Sequence, residues 1–243
     1  MLPKIDVPLF NLTLPLSKKT IKFRPFLVKE EKILLMAMES GEEDSILSAI
    51  KQIINNCCVD ELNVDILPVT DLEFLFLNLR ARSIGETVEL QYKCNNKVVS
   101  DSGEEKDCGG VVKFDLNLLT VKPESDPDHT NKIQLTEKMG IVMKYPNMKI
   151  VESSDGENAT ERIMKVLMNC VDYIYDAETV YYRKDIEDKE LIEFLENLNR
   201  DQFAKIQNFF DTMPKVKTHL DFKCIKCGYE EKVLVEGIQN FFV

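Results

Sequence analysis

Four cysteines carry the clearest chemical signal in the sequence, because they recur in one pattern. Leu-Gln-Tyr-Lys-Cys94 is similar to Leu-Asp-Phe-Lys-Cys224, and Cys108-Gly-Gly-Val is similar to Cys227-Gly-Tyr-Glu. Both stretches follow the order strand, cysteine, loop, Cys-Gly, strand. A structural zinc ion takes four thiolates in a tetrahedron, at about 2.3 Å each. The pattern therefore predicts one structural Zn²⁺ per chain, with Cys94, Cys108, Cys224 and Cys227 as its ligands.

The spacing inside each pair is typical of two metal-binding turns, or knuckles. Two residues separate the cysteines of the second pair, which is the usual gap, whereas residues 95–107 separate those of the first. A loop inserted at the tip of the first turn explains the longer gap. Gly109 and Gly228 follow the second cysteine of each pair, where a missing Cβ lets the backbone turn under the sulfur. Nearby lysines would offset the negative charge of the thiolates: Lys93, Lys106, Lys223 and Lys226.

Alternatives to a zinc site are reduced thiols without metal, a redox Cys-x-x-Cys motif, or a set in which His219 replaces one ligand. The redox interpretation is weaker, because thioredoxin-like motifs begin a helix and this one lies between strand-like segments. Four thiolates leave no open coordination position, so such a zinc would be structural rather than catalytic. The other cysteines, Cys57, Cys58 and Cys170, lie on apolar helical stretches and are predicted to be buried thiols.

The composition limits the classes of function. The 243 residues include 31 basic and 42 acidic side chains, for a net charge of −11, so nucleic acid is not the expected partner. The sequence has no phosphate loop, dinucleotide fingerprint, His-Glu-x-x-His or Gly-x-Ser-x-Gly motif, and only two histidines. No apolar run approaches the ~20 residues of a membrane helix, and the N-terminus lacks a signal-peptide pattern. We therefore expect a cytoplasmic protein that is neither an enzyme nor membrane-bound.

Helical periodicity occupies two parts of the sequence. Residues 28–84 predict three helices, of which the first ends at Gly41 and the third begins with Thr70 as N-cap and Glu73 in the capping-box position. Further on, apolar residues at steps of three and four predict a helix over residues 160–175 and two shorter amphipathic helices after it. The helical parts therefore flank the middle of the chain.

Alternating polar and apolar residues predict strands between and after these helices. Residues 87–94 and 111–116 read as one hairpin with a cysteine at each shoulder, and the polar stretch between them as a loop. Residues 121–131, with two prolines, read as a linker or an exposed loop. Further strand-like runs span residues 20–26, 132–136, 140–146, 179–184, 216–224 and 232–235.

These elements predict an α+β fold, with helical segments around a small antiparallel β region and a discontinuous zinc-ribbon-like unit built on the four cysteines. Four regions are expected: an N-terminal strand and helical region (1–85), a β region with the first zinc knuckle and inserted loop (86–156), a C-terminal helical region (157–215), and the second knuckle hairpin and tail (216–243). The apolar tail Phe241-Phe242-Val243 is predicted either to dock on the protein or to enter a partner.

Several stretches resemble a known family. Residues 21–40, Ile-Lys-Phe-Arg-Pro-Phe-Leu-Val-Lys-Glu-Glu-Lys-Ile-Leu-Leu-Met-Ala-Met-Glu-Ser, resemble the N-terminal signature of the baseplate hub assembly proteins of T-even-type contractile-tailed bacteriophages. Ile141-Val-Met-Lys-Tyr-Pro146, Gln202-Phe-Ala-Lys-Ile-Gln-Asn-Phe-Phe210 with Met213-Pro-Lys215, and the knuckles are also similar to that family. The resemblance extends over nearly the whole chain, and its most specific parts are the first forty residues and the segment from Leu198 to Cys227.

The resemblance implies a non-enzymatic role in virion assembly, in the host cell cytoplasm, with other tail baseplate hub proteins as partners. Two outcomes stay open under it: the protein remains in the virion tail baseplate, or it leaves as a chaperone. The oligomeric state also stays open. The main alternative is a zinc-ribbon nucleic-acid-binding or transcription adaptor, although residues 100–107 near the first knuckle contain four acidic residues against one lysine. A cytoplasmic enzyme with a carboxylate site is a further alternative, without a supporting motif.

Overall fold

The computed structural model describes residues 6–99, 103, 105–154 and 158–237, without the side chains of Glu43 and Asp44. Helices and antiparallel strands are mixed along this part of the chain, which confirms the predicted α+β class. In the same part, no helix has the length and apolar character needed to cross a membrane. The predicted apolar tail lies outside the described residues, and the four-region division stays a prediction.

The helices of the described chain are α1 (Val28–Ser40), α2 (Glu43–Cys57), α3 (Val69–Ser83), α4 (Met148–Ser153), α5 (Ala159–Cys170), α6 (Asp188–Glu196) and α7 (Arg200–Thr212). The strands are β1 (Phe10–Thr13), β2 (Thr20–Phe23), β3 (Thr87–Lys93), β4 (Lys97–Val99), β5 (Glu105–Asp107), β6 (Val111–Asn117), β7 (Lys122–Glu124), β8 (Lys132–Gln134), β9 (Gly140–Met143), β10 (Val171–Tyr175), β11 (Val180–Tyr182), β12 (Lys215–Lys223) and β13 (Glu230–Glu236). Short 3₁₀ turns lie at Val64–Ile66, Leu118–Thr120 and Arg183–Asp185.

These elements form two compact units. The first unit comprises the described residues of Met1–Leu62, Glu73–Glu124 and Lys215–Val243. The second unit comprises the described residues of Asn63–Leu72 and Ser125–Pro214. Most of the second unit is therefore inserted, in sequence, between two stretches of the first.

A buried ion pair joins the β1–β2 hairpin of the first unit to its first two helices. Arg24 Nη2 lies 3.0 Å from Glu30 Oε1 in the first turn of α1, and Glu30 is fully buried. The Leu27 N–H donates to the same carboxylate at 2.9 Å, and Arg24 also donates to the Asn56 carbonyl near the end of α2. As predicted, α1 ends at Gly41, which has a φ of 69°.

Helix α3 begins earlier than predicted. It starts at Val69, directly after Pro68, and proline suits a helix start because its missing N–H needs no partner there. The prediction of Thr70 as N-cap is therefore wrong. The Thr70 hydroxyl instead donates to the Pro214 carbonyl at 2.7 Å. It therefore bonds to a residue that is distant in sequence and does not cap the helix.

Two antiparallel hairpins form the main β part of the first unit. Strand β3 pairs with β6 as far as Lys93↔Val111, and β12 pairs with β13 as far as Lys223↔Glu230. Both predicted hairpins are confirmed. Their core includes the buried residues Leu77, Ala81, Val88, Leu90, Leu116, Leu118, Val121, Val216 and Val235.

Two stretches that were predicted to lack regular structure contain strands. In the predicted linker, β7 pairs with β12 and sets Pro123 opposite Val216; proline is tolerated because β7 is the edge of the sheet β13-β12-β7. The inserted loop of the first knuckle contains the β4–β5 hairpin, with Lys97 opposite Asp107. Neither stretch has the apolar alternation that would have indicated a strand.

The second unit is built on an antiparallel sheet of order β11-β10-β9-β8. The predicted helix over residues 160–175 is wrong beyond Cys170, because α5 ends there and Val171–Tyr175 forms β10. The β-branched and aromatic residues of this stretch favour a strand, and pairing with β9 provides its partner. The core includes Ile133, Leu135, Ile141, Met143, Ile150, Leu167, Met168, Cys170, Val171, Ile174, Leu191, Leu195, Ile206 and Phe209.

Candidate metal centre

The four predicted ligands lie together in the first unit, with all their sulfur atoms within 4.8 Å of one another. The Sγ atoms of Cys94 and Cys227 are 3.7 Å apart, and those of Cys108 and Cys224 are 3.6 Å apart. A tetrahedron with bonds of about 2.3 Å has sulfur–sulfur edges of about 3.8 Å, whereas a disulfide holds two sulfurs about 2.05 Å apart. The spacing therefore fits four ligands around one ion and does not fit two disulfides.

The first knuckle lies at the ends of β3 and β5 and just before the start of β6. Cys94 follows β3 directly and Cys108 follows β5 directly. The Cys94 N–H donates to the Gly110 carbonyl at 2.7 Å, and the Gly109 N–H donates to the Cys94 carbonyl at 3.2 Å. Gly109 has a φ of 64°, which costs glycine no steric strain. The Cys108 N–H donates to the Asn96 carbonyl at 2.8 Å. This bond holds the two ends of the inserted β4–β5 hairpin close together.

The second knuckle repeats this arrangement between β12 and β13. The Cys224 N–H donates to the Tyr229 carbonyl at 2.8 Å, and the Gly228 N–H donates to the Cys224 carbonyl at 2.9 Å. Gly228 has a φ of 75°. The two turns therefore share their backbone hydrogen bonds and their left-handed glycine, although one carries an insertion and the other does not.

Gly110 allows the two knuckles to approach each other. A Cβ atom at this position would lie 2.7 Å from the Cys224 Sγ and 3.2 Å from the Lys226 Cβ. Tyr229 occupies the equivalent position of the second knuckle. The contact between the knuckles is therefore asymmetric, and it requires the absence of a side chain on one side only.

Two of the four predicted lysines, Lys226 and Lys223, make different polar contacts. Lys226 Nζ donates to the Cys108 carbonyl at 2.6 Å, which brings an ammonium group against the first knuckle. Lys223 instead pairs with Glu230 at 2.5 Å. The charge of Lys226 therefore remains beside the sulfurs, while that of Lys223 is offset by a carboxylate.

Asn96 belongs to the site, although no sequence pattern singled it out. Its Nδ2 donates to the Cys227 Sγ at 3.7 Å. The Tyr229 backbone N–H lowers the pKa of Cys227 to about 6, and Asn96 contributes to the same shift. Burial raises the pKa of Cys94 to about 12. Cys227 is thus more readily converted than Cys94 to the thiolate, which is the form that binds metal.

The remaining cysteines and His219 lie apart from the cluster. Cys57 and Cys170 are buried and Cys58 is half-buried. Burial raises the pKa of Cys57 to about 11 and the pKa values of Cys58 and Cys170 to about 12, so all three are protonated thiols at neutral pH. His219 lies in β12 opposite Leu234 and is not a member of the cluster.

Aromatic and aliphatic side chains pack beside the sulfurs. The buried Phe222 lies next to the cysteines, and its ring centroid is 6.3 Å from that of Phe114. Tyr92 meets Phe114 edge-on at 6.0 Å. This packing fixes the hairpin ends and keeps water from the inner side of the cluster, as an apolar shell does around a metal site.

Residues 7–243 match the family model described as T4 bacteriophage base plate protein. No curated protein and no solved structure gives a significant match. The family match supports a structural or assembly role in a phage baseplate, contacts with other baseplate proteins and a location in the virion tail. It agrees with the resemblance found in residues 21–40. Because the match covers nearly the whole chain, this protein belongs to the T4 bacteriophage base plate protein family.

Proposed function

We propose that this protein is a non-enzymatic assembly factor or structural component of the baseplate hub, acting through protein–protein contacts. The family match over residues 7–243 carries the proposal. The similarity of residues 21–40 to hub assembly proteins narrows it from the baseplate as a whole to the hub.

The second part of the proposal is that Cys94, Cys108, Cys224 and Cys227 hold one structural zinc ion. Sulfur–sulfur distances of 3.6 and 3.7 Å across the cluster support it. The facing cysteines are 116 and 133 residues apart in sequence, so the ion would close long loops and join the β3–β6 hairpin to the β12–β13 hairpin. Four thiolates complete the tetrahedron, and the ion would supply stability to the fold.

Elemental analysis of the purified full-length chain tests the metal. We expect one zinc per chain, retained on gel filtration and released by a strong chelator with loss of stability. Cys58→Ala is the matched control, since it removes a cysteine outside the cluster and should leave the zinc content unchanged. A chain that is folded and free of zinc would contradict this part of the proposal.

Co-expression with the other baseplate proteins of the same phage tests the hub role. Affinity purification of the tagged chain should recover hub proteins in a stable complex. Recovery of outer baseplate proteins alone would support a role in the baseplate but contradict a role in the hub. Recovery of nucleic acid alone, in a salt-dependent manner, would support the zinc-ribbon adaptor instead.

Mass spectrometry of purified virions separates the two forms of the proposal. A structural component should be present in finished particles at a fixed ratio to other baseplate proteins. An assembly factor should be found with hub proteins in the infected cytoplasm and be missing from the particles. The protein's absence from both the hub complexes and the virions would contradict both forms.

A further inference from the structure

Helix α1 of the first unit has an apolar face that the described chain leaves exposed. Val28, Leu35 and Met36 on this face are 80%, 54% and 61% exposed. The other side of the helix carries the buried Leu34 and Ala37, and α1 packs against α2. A helix that is apolar on all sides is normally buried on all sides. The exposed face of α1 is therefore suited to contact with another protein chain.

Four residues form a straight row along this face. Val28, Lys32, Leu35 and Glu39 follow one another at steps of four, three and four, which places them above one another on one side of the helix. All four are exposed, and Met36 lies beside Leu35 at the middle of the row. Two helices that pack side by side along their length meet through rows with this spacing. The row thus has the geometry of a helix–helix contact.

The charged members of the row, Lys32 and Glu39, carry opposite signs at opposite ends of the apolar contact. They are seven residues apart, on either side of Leu35 and Met36, which corresponds to about 10 Å along the helix. Among the described residues, neither side chain has an ion-pair or hydrogen-bond partner. Both charges are therefore available to a second helix that packs on this face.

The order of the charges selects the direction of a helix pair made from two copies of α1. In an antiparallel pair with a two-fold axis between Leu35 and Met36, each Lys32 faces the Glu39 of the other copy. In a parallel pair, each Lys32 would face Lys32 and each Glu39 would face Glu39. Opposite charges favour the first arrangement, and like charges disfavour the second.

The same charges determine the register of the antiparallel pair. If the two-fold axis moved by one helical turn, it would lie at Lys32 or at Glu39, and that residue would face its own copy. Only the axis between Leu35 and Met36 sets opposite charges together at both ends. In this register the apolar side chains of Leu35 and Met36 from both copies meet around the axis, so the charges and the apolar contact agree.

Space beside the row gives the side chains at the axis room to pack. Helices α1 and α2 border a groove of about 520 Å³, which Met36 lines together with the small side chains of Ser45, Ser48 and Ala49. Methionine is unbranched and fills irregular space well. Met36 can therefore turn toward the groove when a second helix packs against Leu35.

We propose that α1 packs antiparallel against α1 of a second copy of this chain, in a symmetric dimer with its axis between Leu35 and Met36. The partner is a second copy because the charges of the row are complementary to their own reverse. Helix α1 has 13 residues, and a face of this length buries less than the roughly 800 Å² per partner of a standard interface. The dimer therefore dissociates in the micromolar range, and it requires neither the hub role nor the metal.

Substitution of Leu35 tests the contact at the axis. Sedimentation equilibrium of the full chain should show a monomer–dimer equilibrium that depends on protein concentration. Leu35→Lys brings two ammonium groups together at the axis, so it should raise the dissociation constant by about tenfold or more. Ile66→Lys is the matched control, because Ile66 is also 54% exposed and lies outside α1. A wild-type chain that stays monomeric at about 1 mM, or an L35K variant that dimerises as well as I66K, would overturn the proposal.

Exchange of the two charges tests the direction and the register. Lys32→Glu and Glu39→Lys each set like charges opposite one another at both ends, so each should raise the dissociation constant about fivefold or more at low salt. The double variant K32E/E39K restores opposite charges and should restore the wild-type value. All three variants change exposed side chains, so their circular dichroism should match that of the wild type. Single variants that dimerise as well as the wild type, or a folded double variant that does not recover the dimer, would contradict the antiparallel pair.

Discussion

The two cysteine knuckles differ in sequence far more than in structure. The first contains residues 95–107 between its cysteines, and the second contains only Ile225 and Lys226. Both nevertheless close with the same pair of backbone hydrogen bonds and a left-handed glycine. The comparison shows that the strand ends, the cysteines and the Cys-Gly step determine this turn, and that the number of residues between the cysteines does not.

Each knuckle also supports the other. Asn96 of the first donates to the Cys227 Sγ of the second, and Lys226 of the second donates to the Cys108 carbonyl of the first. These two polar contacts therefore cross the cluster in opposite directions. The site therefore depends on both hairpins, and a substitution in either one should disrupt it.

Removing one ligand from either knuckle should have the largest effect. We expect Cys108→Ala and Cys227→Ala to lose zinc and to lower the free energy of unfolding by about 3 kcal/mol or more, since metal binding contributes directly to folding. Urea denaturation and elemental analysis measure both effects, with C58A as the control. If one of the two variants kept its zinc and its stability, the knuckles would not be equivalent.

Substitution of Gly110 should break the asymmetric contact between the knuckles. A methyl group there meets the Cys224 sulfur at 2.7 Å, so Gly110→Ala should displace a ligand and weaken zinc affinity by about tenfold or more. Tyr229→Ala changes the equivalent position of the second knuckle and adds no atom near a sulfur. Competition with a chromogenic chelator gives both affinities. If G110A and Y229A lost the same amount of zinc affinity, the close approach of Gly110 to the Cys224 sulfur would be unimportant.

Loss of the Asn96 amide should have a smaller effect. Asn96→Ala removes the N–H that donates to the Cys227 Sγ, and a lost partner of a ligand costs about tenfold in metal affinity. Asn95→Ala is the matched control, because Asn95 is the exposed neighbour. The same chelator assay applies. An unchanged affinity in N96A would mean that the backbone of Tyr229 alone supports this sulfur.

Deletion of residues 97–107 should have the smallest effect. It leaves Asn95 and Asn96 between the cysteines, as in the second knuckle, and the cut ends are close because the Cys108 N–H already bonds to the Asn96 carbonyl at 2.8 Å. We expect one zinc per chain and a free energy of unfolding within about 1 kcal/mol of the wild type. Elemental analysis measures the zinc content of the deletion variant, and a melting curve compares its stability with that of the wild type. Loss of zinc would show that the inserted hairpin shapes the turn.

Sequence patterns predicted the two cysteine hairpins and their glycine turns well because these signals are local. Period-two alternation indicated β3, β6, β12 and β13, and the Cys-Gly step indicated the turns at Gly109 and Gly228. The helical stop at Gly41 was equally local. Where one residue type and its neighbours determine the backbone, the sequence alone is sufficient.

The errors arose where a distant partner decides the structure. Residues 171–175 continue the apolar spacing of α5, but pairing with β9 makes them a strand. Thr70 has the residue types of a capping box around it, yet its hydroxyl reaches Pro214. Pro123 suggested a linker, and only the edge position of β7 explains a proline in a strand. Asn96 was missed because its sulfur partner is 131 residues away.

The separation of the knuckles in sequence has a consequence for synthesis. Cys224 is 116 positions after Cys108, and a ribosome that adds about 5–20 residues per second needs roughly 6–23 s to advance from one to the other. During this interval Ser125–Pro214, the larger part of the second unit, emerges, while the first knuckle has two thiols and no second pair. The inserted unit can therefore fold before the outer unit is complete. A chain that holds the proposed ion has been translated through Cys227, so the metal would distinguish such chains from interrupted products.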